Sequence, residues 1–258
     1  MEYLNFALVI PTYNERENIV PLMEEVHRTC SLNALNPEFF IVDDNSPDGT
    51  ADAAEEAAGR FRVSVIRRKG RRGLGLSYRE GFQSVLNASD SEFIFSMDAD
   101  FSHDPGDIPA ILNNIRSNEW DIVIGSRYAP GGSIPHWSPG RRIVSGSCNA
   151  LFRLILGLHP RDVTTAFRCY RRRVIESLPW NSFRCDGYAF MEEIIFYCEK
   201  LGFSAGEVPV TYRRRIRGKT KLNVLEIAQV FITLMRLRFS VKNVDRGKLP
   251  LADTQEQA

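Results

Sequence analysis

Five short apolar runs recur at roughly even spacing along the chain, at residues 8–10, 39–42, 63–66, 93–97 and 122–124. Each is rich in β-branched or aromatic side chains and reads as a buried strand. Helical periodicity fills two of the intervals. Ile19, Leu22, Met23 and Val26 follow the i, i+3, i+4, i+7 pattern, and Ile108, Ile111, Leu112 and Ile115 repeat it. Strands alternating with such helices predict an α/β fold, a mostly parallel central sheet with helices on both faces. Beyond residue 125 the pattern changes. Residues 128–140 are rich in Gly and Pro and predict a long loop, followed by an apolar helix at 143–158, a strand at 167–170 and a helix at 190–201. No linker divides the chain.

Polar residues cluster just after the predicted strands, where ligands bind in open sheets of this kind. Pro11-Thr-Tyr-Asn-Glu15 follows the first, Asp43-Asp-Asn-Ser-Pro-Asp48 the second, Asp98-Ala-Asp100 the fourth and Gly125-Ser-Arg127 the fifth. Two carboxylates one residue apart can share a divalent cation that also clamps a diphosphate. Asp43 and Asp44 can accept hydrogen bonds from a nucleotide, or can serve the turn that ends in a Thr50 helix cap. Both readings stay open on spacing alone.

Net charge narrows the partners. With 33 basic against 32 acidic side chains the total is +1, and the basic runs lack interleaved aromatics, so a nucleic-acid partner is not expected. The positive charge is local instead: Arg67 to Arg72, Arg171 to Arg173 and Arg213 to Lys221 are each an anion site or a solvated face. Five scattered cysteines without a C-x-x-C pair argue against a disulfide framework or a zinc site. No basic leader precedes the first strand and no run of about 18 apolar residues occurs, which predicts a cytoplasmic protein that does not cross a bilayer by itself.

The motifs Pro11-Thr-Tyr-Asn-Glu15, Val42-Asp-Asp-Asn-Ser-Pro-Asp-Gly-Thr50, Met97-Asp-Ala-Asp100, Gly125-Ser-Arg-Tyr128 and Gly218-Lys-Thr-Lys-Leu222 occur in this order. Together they resemble the polyprenyl-phosphate (dolichyl-phosphate) mannose synthase group of GT-A inverting glycosyltransferases. The resemblance spans about Leu8 to Leu222. It implies a GT-A catalytic domain at 1–222; the remaining 223–258 carry no family motif and read, from their own apolar and cationic pattern, as a C-terminal amphipathic helix and polar tail that either meets a membrane interface or covers the core.

The resemblance further implies transfer of mannose from GDP-mannose to a polyprenyl phosphate, with Mg²⁺ or Mn²⁺ as cofactor. Pro11, Tyr13, Glu15, Ile41 and Asp43 would surround the guanosine. Asp98, Ala99 and Asp100 would meet the donor diphosphate and its metal, with Ser102 standing where many relatives carry a Gln ligand. Arg127, Arg141 and Ser145 would hold the acceptor phosphate, and Arg215 and Lys221 the donor diphosphate. A phosphate acceptor needs no carboxylate base, so Glu192 is read only as a helix acid near the mouth of the site. His103 reads as a hydrogen-bonded structural residue, and Thr164, Thr165 and Arg168 as candidates for the acceptor wall. The implied partners are the nucleotide sugar, the lipid phosphate and the cytoplasmic face of a membrane, with a separate membrane subunit left open. Rivals are the same fold acting on UDP-glucose, an aminosugar donor or a soluble glycan, and a non-catalytic nucleotide-sugar-binding subunit.

Overall fold

The computed structural model describes residues 3–187, 189–213, 235 and 238. The expected boundary at 222/223, the Arg215 and Lys221 positions and almost all of the 223–258 segment lie outside the described residues.

Seven strands form one sheet in the order β3-β2-β1-β4-β6-β5-β7. β1 (Leu4–Thr12) and β2 (Leu35–Asp43) pair in parallel over nine residues, and β3 (Arg62–Arg67) extends the sheet beyond β2. β4 (Phe93–Ser96) lies parallel on the other side of β1. β6 (Arg168–Arg171) runs antiparallel between β4 and β5 (Ile122–Ser126), and β7 (Ala205–Pro209) closes the far edge parallel to β5. The sheet is therefore mostly parallel, as the alternating pattern predicts.

Period-two alternation distributes the apolar residues between two layers. Phe6, Leu8 and Ile10 of β1 pack with α1 (Arg16–Ser31) and α4 (Ile108–Ser117), whereas Ala7 and Val9 face α3 (Leu74–Ala88) and α7 (Phe190–Lys200). Two short helices, α2 (Thr50–Glu56) and α6 (Arg172–Ser177), and the long α5 (Pro139–Leu156) complete the cover. β3 corrects the expectation of a buried strand. It is an edge strand whose residues are half-buried or exposed, because only one neighbour covers its backbone.

Several arginines of two basic runs are paired with carboxylates, while Arg72, exposed over Tyr13, has no carboxylate partner among the described residues. Arg67 pairs with Asp52 and Glu55, and Arg68 is buried against Asp44 and Glu80. Arg171, Arg172 and Arg173 pair with Glu92, Glu176 and Asp121. These arginines tie helices to strand ends.

The close approach of α3 to the sheet rests on Gly81, where a Cβ would run into Val9 and come within 2.9 Å of Val42 Cγ2. Gly81→Val is expected to destabilise the fold by about 1–3 kcal/mol through overpacking, read as a lower urea midpoint with an unchanged slope.

Candidate active site

The strand order reverses at β1, whose carboxyl end lies between those of β2 and β4. In open α/β sheets this is where ligands bind. Thr12 ends β1 and donates to Asp43 Oδ1 (3.1 Å), which also accepts from Ser46 Oγ (2.6 Å), while Ser46 N donates to Asp43 Oδ2 (2.9 Å). Asp43 thus organises the turn, yet a carboxylate oxygen can accept a second bond, so Oδ2 keeps capacity for a ligand. Its neighbour Asp44 is structural. It is buried against Arg68 and accepts from Gly73 N (2.8 Å), anchoring the start of α3.

Tyr13 lies half-buried beside this turn under Arg72, whose Cζ is 4.2 Å from the ring centroid and whose Nη1 donates to the hydroxyl (2.5 Å). Glu15 opens α1 by accepting from Asn18 Nδ2 (2.6 Å), and its N–H donates to Thr50 Oγ1 (2.9 Å). Pro11 and Ile41 sit lower. The Ile41 side chain is wholly buried in the α1/α4 apolar layer, and Pro11 is buried opposite Val42 in the next register position.

Beyond β4, Met97 N donates to Val9 O (3.1 Å) and the chain leaves the sheet as Asp98-Ala-Asp100. Asp98 Oδ1 accepts from the Tyr78 hydroxyl (3.0 Å). Burial and the adjacent Asp98 push the Tyr78 phenol well above its ordinary pKa, so it remains a donor. Asp98 N donates to His103 Nδ1 (3.1 Å), which fixes the imidazole as a neutral acceptor at that nitrogen; burial holds its pKa below the usual value. The ring stacks on Phe167 at 5.0 Å. Ala99 is buried, and Asp100 Oδ1 accepts from Ser102 N (3.0 Å). Between them Phe101 adopts φ 62°, a left-handed conformation that is uncommon for a bulky residue and concentrates at functional sites. Ser102 is fully buried, and its Oγ has no hydrogen-bond partner among the described residues.

At the end of β5, Arg127 is 9% exposed and engages Asp162, which is 0% exposed. The Arg127 backbone N–H and Nε both donate to Asp162 Oδ2 (2.9 and 2.7 Å), and Nη2 donates to Oδ1 (2.7 Å) and to Thr164 Oγ1 (2.6 Å). Burial alone would raise the Asp162 pKa, but the charge and hydrogen bonds of Arg127 hold it below the usual carboxylate range. Among the described residues no hydrogen bond engages Nη1 of the guanidinium. Arg141, in the first turn of α5, is exposed and lies over Trp137. Ser145 Oγ, one turn on, accepts from the Tyr128 hydroxyl (2.8 Å). Asn149 Nδ2 donates to Thr164 Oγ1 (3.2 Å), so α5, Arg127 and Asp162 form one wall.

The two halves meet at Tyr212, whose ring is 6.1 Å from that of His103 and 5.5 Å from Arg127 Cζ. Thr165 and Arg168 serve the scaffold: Thr165 Oγ1 accepts from Phe167 N (3.2 Å), and the fully buried Arg168 donates to Met191 O and Val163 O (2.7 and 2.6 Å). Tyr78 and Asp162 carry no signal in the sequence, because each acts through a partner more than 19 residues away and no local spacing marks it.

Glu192, in the first turn of α7, is 4% exposed, and its Oε2 has no hydrogen-bond partner among the described residues. Burial pushes its carboxyl up to about 7, against the pull of Arg168 and Arg127. Between about pH 4.5 and pH 7 the folded protein therefore holds a proton that the unfolded chain releases, and stability falls as pH rises through that window. Glu192→Gln is expected to flatten this fall, a gain of up to about 3 kcal/mol at pH 8 over wild type, read from urea midpoints across pH. The depressed Asp162 contributes the opposite sign. Its stabilisation is present above the unfolded carboxylate pKa and is lost at more acid pH.

A family model described as Glycosyl transferase family 2 matches residues 7–179. The chain is 37% identical over 218 residues to a polyprenol monophosphomannose synthase of Mycolicibacterium smegmatis, covering 84% of this chain and 80% of that protein. It is 32% identical over 229 residues to an undecaprenyl-phosphate mannosyltransferase of Micrococcus luteus, covering 88% and 91%. Among solved structures, glucosyl-3-phosphoglycerate synthase from Mycobacterium tuberculosis in complex with Mn²⁺, UDP and glucosyl-3-phosphoglycerate has a TM-score of 0.64 at 18% identity, covering 93% of this chain and 82% of that one. Mannosyl-3-phosphoglycerate synthase from Rubrobacter xylanophilus has a TM-score of 0.65 at 17% identity, covering 96% and 79%.

Proposed function

The chain belongs to glycosyl transferase family 2, and we propose that it transfers mannose from GDP-mannose to a polyprenyl phosphate, with inversion at the transferred carbon. The observation that carries this reading is the joining of an acidic crest, Asp98-Ala-Asp100, to a cationic wall, Arg127, Arg141 and Ser145, through His103 and Tyr212 at one end of the sheet. A donor diphosphate and an acceptor phosphate need these two chemistries side by side. The names of the two curated relatives supply mannose and the lipid phosphate.

Asp98, Asp100 and the Ser102 hydroxyl would hold Mg²⁺ or Mn²⁺, which supplies charge neutralisation of the leaving diphosphate. The residues fit. All are hard oxygen donors, Ser102 Oγ is buried without a hydrogen-bond partner among the described residues, and the Asp98 side chain is 30% exposed toward solvent. No group of three or more His, Cys, Asp or Glu among the described residues could hold a metal alone, so phosphate oxygens of the donor would complete the shell. Tyr13 and Asp43 would hold the nucleoside. Arg215 and Lys221 belong to the proposal as diphosphate contacts. Arg141, Ser145 and Nη1 of Arg127 would present the acceptor phosphate to the sugar carbon. That phosphate is already anionic at neutral pH, so positioning and charge stabilisation suffice without a general base.

A polyprenyl tail demands a membrane surface. Ile143, Val144, Leu151 and Leu154 of α5 are 41–80% exposed, on the helix that carries Arg141 and Ser145. No helix among the described residues is long and apolar enough to cross a membrane. We assign the chemistry to 1–222 and place the protein peripherally on the cytoplasmic face, with α5 and the 223–258 segment meeting the lipid.

Two outcomes are expected. Asp100→Ala should lower transfer by about two orders of magnitude or more, with unchanged circular dichroism, and a chelator should do the same to wild type; retained transfer in the variant would refute the assigned crest. Leu151→Glu with Leu154→Glu should abolish flotation with anionic vesicles, whereas flotation equal to wild type would remove α5 from the membrane contact.

A further inference from the structure

The loop between β5 and α5 places one indole against both arginines of the cationic wall. Trp137 is half-buried, with its ring centroid 4.1 Å from Arg141 Cζ and 5.7 Å from Arg127 Cζ, both within cation–π range. Arg127 is already fixed by Asp162. Arg141 is not: it is exposed, and no ion pair or side-chain hydrogen bond ties its guanidinium to another described residue. The indole is itself held from several sides. Its ring meets Tyr212 edge-on at 5.4 Å, the Trp137 backbone carbonyl accepts from Arg142 Nε (3.1 Å), and Arg142 Nη2 donates to Pro135 O (3.0 Å). Ser133, in the same loop, accepts from Tyr212 N (2.9 Å) and donates from its own N to Val210 O (3.0 Å).

We propose that Trp137 is a positioning residue that holds the Arg141 guanidinium beside Arg127 so that the two converge on one acceptor phosphate. An exposed arginine samples many rotamers, and ordering it on binding costs affinity. A fixed aromatic face removes part of that cost before the phosphate arrives. The indole also offers its negative ring face to two like charges that would otherwise repel each other. This inference rests on the reading of Arg141 as an acceptor-phosphate contact.

The test is steady-state transfer by the full chain with Trp137→Phe, Trp137→Leu, Arg141→Ala and the Trp137→Leu/Arg141→Ala double variant. Trp137→Leu keeps an apolar side chain without the ring and should raise the acceptor KM about three- to tenfold, with the donor KM unchanged. Trp137→Phe should stay near wild type, and the double variant should be no worse than Arg141→Ala alone. An unchanged acceptor KM in Trp137→Leu beside a raised one in Arg141→Ala would overturn this inference alone. So would additive effects, or equal rises in both KM values, which mark a merely structural role. An unchanged acceptor KM in Arg141→Ala would overturn the acceptor reading together with it.

Discussion

The last rung between β1 and β4, the hydrogen bond from Met97 N to Val9 O, sets where chemistry can occur in this chain. Up to that rung the backbone is committed to the sheet and the side chains alternate between two apolar layers. One residue later the chain is free to turn, and Asp98 rises at the place where the strand order reverses. β1 and β2 end together because they share a nine-residue register that closes at Thr12 opposite Asp43, and the β1/β4 register, with Val9 opposite Ser96, brings Asp98 alongside. The side chain of Thr12 then bonds the carboxylate of Asp43 directly. These two registers of β1 therefore align the Asp43 turn with the acidic crest.

The polar groups that define the site are held by buried partners. Asp44 with Arg68, and Arg127 with Asp162, remove charges from water at a cost that Coulomb attraction alone does not offset reliably. What they provide is position. The first pins the start of α3 through Gly73, and the second fixes an arginine at the end of β5 and, through Thr164, locates α5. His103 does the same without charge, accepting the Asp98 N–H while its ring packs on Phe167. The strain at Phe101 fits this scheme, since a left-handed residue persists only where its surroundings are over-determined.

Much of this was legible in the sequence. The five early strands, the α1 and α4 stripes and the acidic turn after β4 follow from local patterns, because parallel strands buried on both faces are continuous apolar runs. α3 was not read, since Gly75 and Gly81 look like breakers in a helix. They are required there by packing, as a Cβ at Gly75 would come within 2.7 Å of Cys185 O and of Phe190 Cβ. β7 escaped because Gly206 and Pro209 interrupt a short edge run. The pairing of individual arginines was hidden for a different reason: spacing displays charge but not the distant carboxylates, such as Asp44 at Arg68 and Asp121 at Arg173, that neutralise part of it. Asp162 is the clearest case, a single Asp in a polar turn whose importance appears only when the fold brings it to Arg127.

The most direct test of the central claim is a donor competition. Purified protein is given equal GDP-mannose, UDP-glucose and UDP-N-acetylglucosamine, each with a distinct isotopic label, together with polyprenyl phosphate and Mg²⁺, and the organic phase is counted. Mannose alone in the lipid fraction, lost on chelation, is the predicted result. Another sugar in that fraction would contradict the assigned donor, and no lipid-linked sugar at all would contradict the assigned reaction.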